Sequence, residues 1–441
     1  MGQDGERTLQ ALESVSIGQE IYNLIVELFP LCRSITGDGV RDTLRIIKKQ
    51  IPLQMYEIPT GTKVFDWVVP KEWDIQDAFI LNQESNKIVD FRENNLHVVG
   101  YSVPVDKYVS LAELQQHLYS LEEQPDAIPY VTSYYEERWG FCIAHSKRVK
   151  LKEGKYRVFI ASELKDGYLT YGECILPGKT DEEVFLSTNI CHPSMANNEL
   201  SGPAVATYLT NWIASTPRKY TYRIVFVPET IGSITYLSRN LDVMRKNIVT
   251  GFNISCVGDE RVYSFLPSRN GNTLADKIAL NVLRFKHPDF IRYSYLERGS
   301  DERQYCSPGV ALPVVAVMRS KYGAYPEYHT SLDDLSFVTP KGLWGSYQIL
   351  KDCIEVIERN EKYFSTCYGE PQLGKRGLYP NPSTKWSGAL VKDMMNFLAY
   401  ADGSNDLVDI SNIINVPVWE LYSIVEKLQR ADLLAKVEMH A

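Results

Sequence analysis

The sequence predicts an α/β protein: a doubly wound, mostly parallel sheet, with a β-rich inserted domain and a C-terminal winged-helix domain. Three observations carry this. Strands of buried type alternate with amphipathic helices from about Tyr156 onward, an order that a parallel sheet with helices on both faces satisfies. From about Phe65 to Lys150 that alternation gives way to short runs rich in Tyr, Trp, Pro and Val with turn dipeptides. A Pro- and Gly-rich link, "GEPQLGKRGLYPNPSTKWSG", then sets off three closing helices.

The elements follow in order. "IGQEIYNLIVELFPLC" has apolar residues at i, i+3 and i+4, and "GDGVRDTLRIIKKQI" repeats the signal after a Gly-rich turn, so two helices span Ile17 to Lys49. "LQMYEIPTGT" reads as a short strand. In the insertion, "WVVPKEW", "NNLHVVGYSVP" and "ERWGFCIAHSKRVKL" read as short strands beside one helix, "SLAELQQHLYSL". Next, "YRVFIASEL" and "LTYGECILPG" are expected to pair as a hairpin. The strands "EEVFLSTNI", "YTYRIVFVP", "VTGFNISCVG" and "LPVVAVM" then alternate with the helices "SGPAVATYLTNWIAS", "IGSITYLSRNLDVM" and "TLADKIALNVLRFK". The long helix "PKGLWGSYQILKDCIEVIERNEKYF" ends this region. These readings divide the chain into a core at 1–64 and 151–364, an insertion at 65–150, and a linker with winged helix at 365–441. The last part runs helix ("ALVKDMMNFLAYAD"), helix ("LVDISNIIN"), a turn at Val416 and Pro417, and helix ("PVWELYSIVEKLQRADLLA").

Composition narrows the function. A chain of 441 residues, 44% hydrophobic, has room for two or three cores. Its 47 basic and 55 acidic residues give −8, which offers no general footprint for nucleic acid or anionic lipid and suits a small neutral or cationic ligand. From Lys385 onward five basic residues face eight acidic ones, so the closing helices suit a protein partner better than DNA. The start "MGQDGERTLQALESVS" has no apolar core of a signal peptide, and no run of about 18 apolar residues occurs, so a cytoplasmic protein without membrane contact is expected. Eight scattered cysteines without a C-x-x-C pair read as reduced, buried thiols.

Candidate chemistry collects after the strands. His192 follows "VFLSTNI", Glu229 follows "YRIVFVP" and Asp259 follows "FNISCVG", while "YHTSLDD" brings His329 and Asp333 behind "LPVVAVM". Ionisable groups at the carboxyl edge of a parallel sheet form an active-site pattern. Taken singly, either histidine also fits a capping or core position; His97, His117, His145, His287 and His440 lack this setting. Arg269, Arg298 and Arg303 lie near the same edge, where they can receive a carboxylate or simply be solvated. The paired tryptophans of "KVFDWVVPKEWD" read as an aromatic platform for a sugar or peptide, or as the core of a small β domain.

The stretches "CRSITG", "IPYVTSYYEERWGF", "ICHPSMANNELSG" and "YHTSLDDL" carry a resemblance. Tyr156 to Phe364 resembles the catalytic domain of zinc-dependent aminopeptidases, whose relatives include glutaminyl cyclases. Nearly the whole chain resembles a bacterial family described as polysaccharide-biosynthesis proteins with an aminopeptidase-like domain, flanked by a β-rich insertion and a C-terminal winged helix. The resemblance implies a sheet of the zinc-aminopeptidase type. Its ligand pattern is only partly kept. His192 matches, but Ser194, Asn198, Thr230 and Ser255 stand where the pattern has carboxylates, and Glu302 stands where it has a histidine. Glu229 fits the general base, and Tyr328, His329, Thr330 and Asp333 are intact.

Two zinc ions about 3.5–4 Å apart need a shared anionic bridge, so a single zinc is implied. His192, His329 and a third ligand would hold it: Glu199, next to the neutral Asn198, with Asp259, Asp301 and Glu302 as alternatives. Glu199 equally suits the positive end of the helix that follows it. The expected function is a metal-dependent hydrolase of the aminopeptidase type, cleaving a terminal amide of a peptide or peptide-like conjugate with Glu229 as base. The competing expectation is a non-catalytic binding or scaffolding protein of the same fold, linked to polysaccharide biosynthesis.

Overall fold

The computed structural model describes the backbone of residues 3–379 and 385–437 and the side chains of 16–379 and 390–437. The Pro-rich end of the link at 380–384, together with His440, lies outside the described residues. Two compact units emerge, residues 1–271 with 291–348 and residues 272–290 with 349–441.

The first unit holds an eight-stranded mixed sheet. Its strands are β1 (Gln54–Pro59), β2 (Tyr168–Leu176), β3 (Glu183–Asn189), β4 (Thr221–Val227), β5 (Ile248–Ile254), β6 (Ser264–Leu266), β7 (Ile291–Arg292) and β8 (Val314–Met318). Their spatial order is β1-β2-β4-β3-β5-β8-β6-β7. The four central strands β4, β3, β5 and β8 run parallel, with antiparallel pairings at β1–β2, β2–β4 and β6–β8. All seven residues of β3 are buried, as expected of a strand covered on both faces. Because the central strands share one direction, the loops after Asn189, Val227, Ile254 and Met318 emerge at one edge. Those loops carry His192, Glu229, Asp259 and His329.

The expected hairpin between "YRVFIASEL" and "LTYGECILPG" does not form. Lys155–Lys165 pairs instead with Glu72–Leu81 and Val105–Ser110 in a separate four-stranded sheet completed by Lys87–Asp90. Its alternation explains the choice: Tyr156, Val158 and Ile160 turn inward onto Ala78, Ile80, Val109 and Phe141. At the crossing, a Cβ on Gly167 would lie 2.5 Å from the Glu72 carboxylate, so only glycine lets the chain pass there. The paired tryptophans also separate. Trp73 is buried, stacks on Tyr101 with centroids 5.7 Å apart and donates its indole N–H to the Ser102 carbonyl at 2.9 Å, whereas Trp67 stands 39% exposed on a tight hairpin.

A segment of the insertion docks on the loop that carries His329. Tyr130 N–H donates to the His329 carbonyl (2.8 Å), Ser331 N–H donates to the Ile128 carbonyl (2.9 Å), and Pro129 bridges Thr330. The described cysteines are free thiols. No described helix is long and apolar enough to cross a membrane.

In the second unit the helices Lys385–Tyr400, Leu407–Ile414 and Val418–Arg430 accompany a three-stranded sheet of Asp402–Asp406, Lys362–Ser365 and Leu434–Lys436. The helix Leu274–Lys286, read above as a core crossover, belongs to this unit. It packs on the helix-turn-helix itself: Lys277 pairs with Asp409 (2.7 Å), Asn281 donates to Ser411 and Asn412, Arg284 bonds Asn415, and Phe285 meets Trp419 edge-on.

Candidate active site

The site begins with a π-helical turn at Ala196–Leu200, after which the helix Ser201–Ser215 starts. Asp333 fixes the turn, its two carboxylate oxygens accepting Asn197 N–H (2.6 Å) and Asn198 N–H (2.9 Å). The turn carries Glu199 back toward the end of β3. There Glu199 Oε1 accepts the Cys191 N–H and Oε2 accepts His192 Nδ1–H at 2.7 Å. Arg33, 1% exposed, closes this pocket from behind by donating to the carbonyls of His192 and Leu28.

Glu199 therefore does not face the cavity as a ligand on the same side as His329. Both of its oxygens are engaged, and it holds a proton on His192 Nδ1, so that Nε2 is the nitrogen turned outward. Burial pulls the His192 imidazole down, but the Glu199 charge and hydrogen bond outweigh it, so its pKa is raised. Glu199 moves the other way: burial raises it, and His192 more than offsets that.

His192 Nε2 points at Glu229, whose Oε2 is 3.8 Å away. The His329 ring lies beside it, with centroids 5.0 Å apart, and the Tyr130 ring packs on both at 4.9 and 5.1 Å. Tyr328 stacks on the far side of His329. His329 Nε2 is buried without a hydrogen-bond partner, and burial, then the neighbouring His192 charge, pushes that imidazole down to about 2. It is a neutral ring whose Nε2 has no hydrogen-bond partner.

Glu229 is presented by strained backbone. Ile231 N–H donates to the Glu229 carbonyl at 2.8 Å across Thr230, which sits at φ 64°, ψ −79°. This is the rare positive-φ γ-turn, unfavourable for a β-branched residue. Asp301 Oδ1 accepts Thr230 N–H (2.8 Å) and Ser233 Oγ–H (2.7 Å), and Arg303 Nη2 donates to Thr230 Oγ1 (2.5 Å). Ser194 and His329 also adopt positive φ. Such strain collects at functional sites. Burial raises Glu229 above the usual carboxylate range. Asp301 is pushed up to about 8 by burial and by the Glu229 charge.

The other carboxylates considered as ligands are occupied elsewhere. Asp259 accepts from Asn197, Arg261 N–H and Ser320, and Glu302 accepts from Gly299, Ser300, Tyr322 and Asn253. Both tie loops together. A cavity of about 400 Å³ opens over the site, and Glu229 is the only carboxylate among its described lining residues. Its walls add Trp67, Tyr130, Thr132, Tyr134, Tyr135 and Arg303. The tyrosines come from "IPYVTSYYEERWGF", a stretch to which the sequence attached no chemistry.

Two placements of a cation compete on the donor atoms. Ligand atoms of Cys191, His192 and Glu199 lie within 4.8 Å of one another, yet Cys191 Sγ accepts the Glu229 N–H and both Glu199 oxygens are bonded. On the other side, His192 Nε2 lies 3.8 Å from Glu229 Oε2, and the His329 ring, whose Nε2 has no partner, stands beside His192. Zinc binds imidazole nitrogen at about 2.0–2.1 Å, a reach that rings 5.0 Å apart allow. The two imidazoles supply two of the three protein ligands that one catalytic zinc takes. The site does not fit two ions, because Asn198 and Thr230 supply no bridging or terminal carboxylate.

Comparison with known proteins gives a consistent frame. The model of a domain of unknown function, DUF4910, matches residues 22–360, and a winged helix-turn-helix model matches 361–436. A Clostridium acetobutylicum protein named for polysaccharide biosynthesis and an aminopeptidase-like domain is 45% identical over 434 residues, 96% of this chain and 98% of its own length. A crystal structure from Clostridium acetobutylicum, described as a peptidase, superposes with TM-score 0.91 at 44% identity, covering 98% of this chain and 100% of that one. A zinc aminopeptidase from Bacillus subtilis reaches TM-score 0.57 at 11% identity, over 77% of this chain and 94% of that one. A peptidase M28 precursor from Shewanella amazonensis reaches 0.56 at 13%, over 84% and 99%. These last two show the aminopeptidase-like fold.

Proposed function

This chain belongs to the DUF4910 family, and from that premise we propose that it is a single-metal amide hydrolase. The observation that carries the proposal is the buried His329 Nε2 without a partner, on a residue that lines the same cavity as His192 and Glu229. His192 and His329 would hold one zinc, which supplies Lewis-acid polarisation of a substrate carbonyl when bound. Glu199 holds the His192 ring in its productive tautomer. Glu229, raised by burial, takes a proton from the attacking water and returns it to the leaving amine. Tyr130 packs on both imidazoles and limits water at the ring faces.

The substrate is an amide on a peptide-like or sugar-borne conjugate. The name of the 45% identical relative supports a place in polysaccharide assembly. Glu229→Gln tests the assignment: zinc content stays at the wild-type level while hydrolysis of aminoacyl p-nitroanilides disappears. Loss of zinc in that variant would make Glu229 a ligand and overturn its role as proton carrier.

A second reading draws on the neutral residues Asn198, Thr230 and Ser255, which leave fewer anionic donors than a two-zinc centre needs. In it the same pocket binds its ligand without turning it over, and zinc is absent. For the closing helices, net acidity and the packing of Leu274–Lys286 on the helix-turn-helix support a protein partner over DNA. Mixed-sequence duplex DNA should not bind at about 50 mM salt, and binding that weakens as salt rises would contradict this.

A further inference from the structure

The mouth of the cavity has features that amide hydrolysis does not require. Trp67 and Tyr135 are 39% and 58% exposed, and their rings stand 6.1 Å apart, tilted by 58°. Both line the cavity. Large aromatic faces left in water beside a pocket mark a contact surface for a flat ligand. Farther in, Arg303 is the only Lys or Arg among the described lining residues. The one hydrogen bond of its side chain goes from Nη2 to Thr230, and its Nε–H is buried without a partner. Glu229 and Asp301 lie within its electrostatic reach, so the guanidinium is balanced by charge while its donor fork stays incomplete. A planar fork of this kind is matched by a carboxylate.

We propose that the cavity is selective for an acidic N-acylated amino sugar, its ring seated against Trp67 and Tyr135 and its carboxylate held by Arg303. The occupant's chemistry follows from three facts together: two exposed aromatic faces for the CH face of a pyranose, a lining guanidinium whose side chain is hydrogen-bonded only to Thr230 for an acid group, and Thr132 and the Tyr130–Tyr134 hydroxyl pair, 2.6 Å apart, for ring hydroxyls. That the ligand's amide then meets Glu229 rests on the hydrolase reading. Its seating in the subsite does not.

Isothermal titration of the full chain, stripped of metal by chelator, separates the two. The probes are N-acetylglucosaminuronic acid, neutral N-acetylglucosamine and N-acetylphenylalanine, which carries a carboxylate on an aromatic body. The acidic sugar should bind about tenfold or more tighter than the neutral one, in line with one charge-assisted pair. Arg303→Ala should erase that difference, and Trp67→Ala should weaken both sugars by about tenfold. Arg303→Lys keeps the charge without the fork and should recover only part of the preference. Unchanged binding of the neutral sugar to both Arg303 variants reports that they are folded. Equal affinity for the two sugars, tighter binding of N-acetylphenylalanine, or no binding of any probe would overturn the subsite. Sugar binding without any hydrolysis of its amide after zinc is restored would instead leave the subsite standing and remove the hydrolase.

Discussion

The edge of the large sheet and the helix-turn-helix solve the same local problem in opposite ways. In the helix-turn-helix, Asp406 and Asp409 cap the helix Leu407–Ile414 reciprocally, and Asn415 takes the left-handed position at its end. Those are the residue types that such positions favour. At the sheet edge, a β-branched threonine holds a positive-φ γ-turn, and His329 Nε2, Asn198 Oδ1 and Asp301 Oδ2 are buried without partners. The helix-turn-helix follows the rules of stability at its helix caps, although Tyr422 Oη is buried there without a partner. The other departs from them where Glu229 and the two imidazoles meet, which is where function is expected to collect.

That contrast can be broken or sharpened experimentally. The largest effect belongs to Glu229→Gln, which should lower turnover on the order of 10²–10⁴-fold, the usual contribution of a proton-transfer group; initial rates at saturating substrate measure it, and a rate near wild type would dissolve the distinction between the two regions. Glu199→Gln comes next. It should weaken zinc binding by about 10–100-fold with the fold intact, as loss of a ring-orienting carboxylate does, and unchanged affinity in competitive chelator titrations would return Glu199 to a purely structural role.

Asp333→Asn should reduce stability by about 1–3 kcal/mol, because one of the Asn197 and Asn198 amides is left buried without its acceptor. Its pH dependence has a definite sign. Burial raises the Asp333 carboxyl from 3.8 to about 6 against the pull of those amides. A carboxyl raised on folding favours the native state below its unfolded value, and that contribution is lost as pH climbs through the folded one. Wild type should therefore lose stability relative to Asp333→Asn between pH 3.8 and about 6, read from urea midpoints; a flat difference across that window would contradict it. The smallest effect is Asp406→Ala, about 1 kcal/mol from loss of a helix cap, seen as a slightly lower Tm with zinc content and turnover unmoved.

The parallel core and the positions of His192, Glu229 and His329 could be read from the sequence because each follows an apolar run long enough to define a strand end. What those residues touch could not. Spacing places Glu199 near His192 but says nothing of the π-helical turn that brings it to Nδ1 rather than Nε2. The tyrosines at 130, 134 and 135 reach the site through docking of a distant segment by backbone bonds, which leave no side-chain pattern. Arg33 donates to main-chain carbonyls, so no complementary residue in the sequence announces it. The misread hairpin has the same origin: alternation identifies Lys155–Lys165 as a strand without saying which sheet it joins.

Zinc stoichiometry across three proteins tests the central claim most directly. Titration of metal-free wild type, Cys191→Ala and His329→Ala should give about one equivalent, about one equivalent and none, since a catalytic zinc needs its outward imidazoles and the thiol lies on the other side of the His192 ring. Uptake by His329→Ala equal to wild type, or no uptake by wild type, would contradict a cation held between positions 192 and 329.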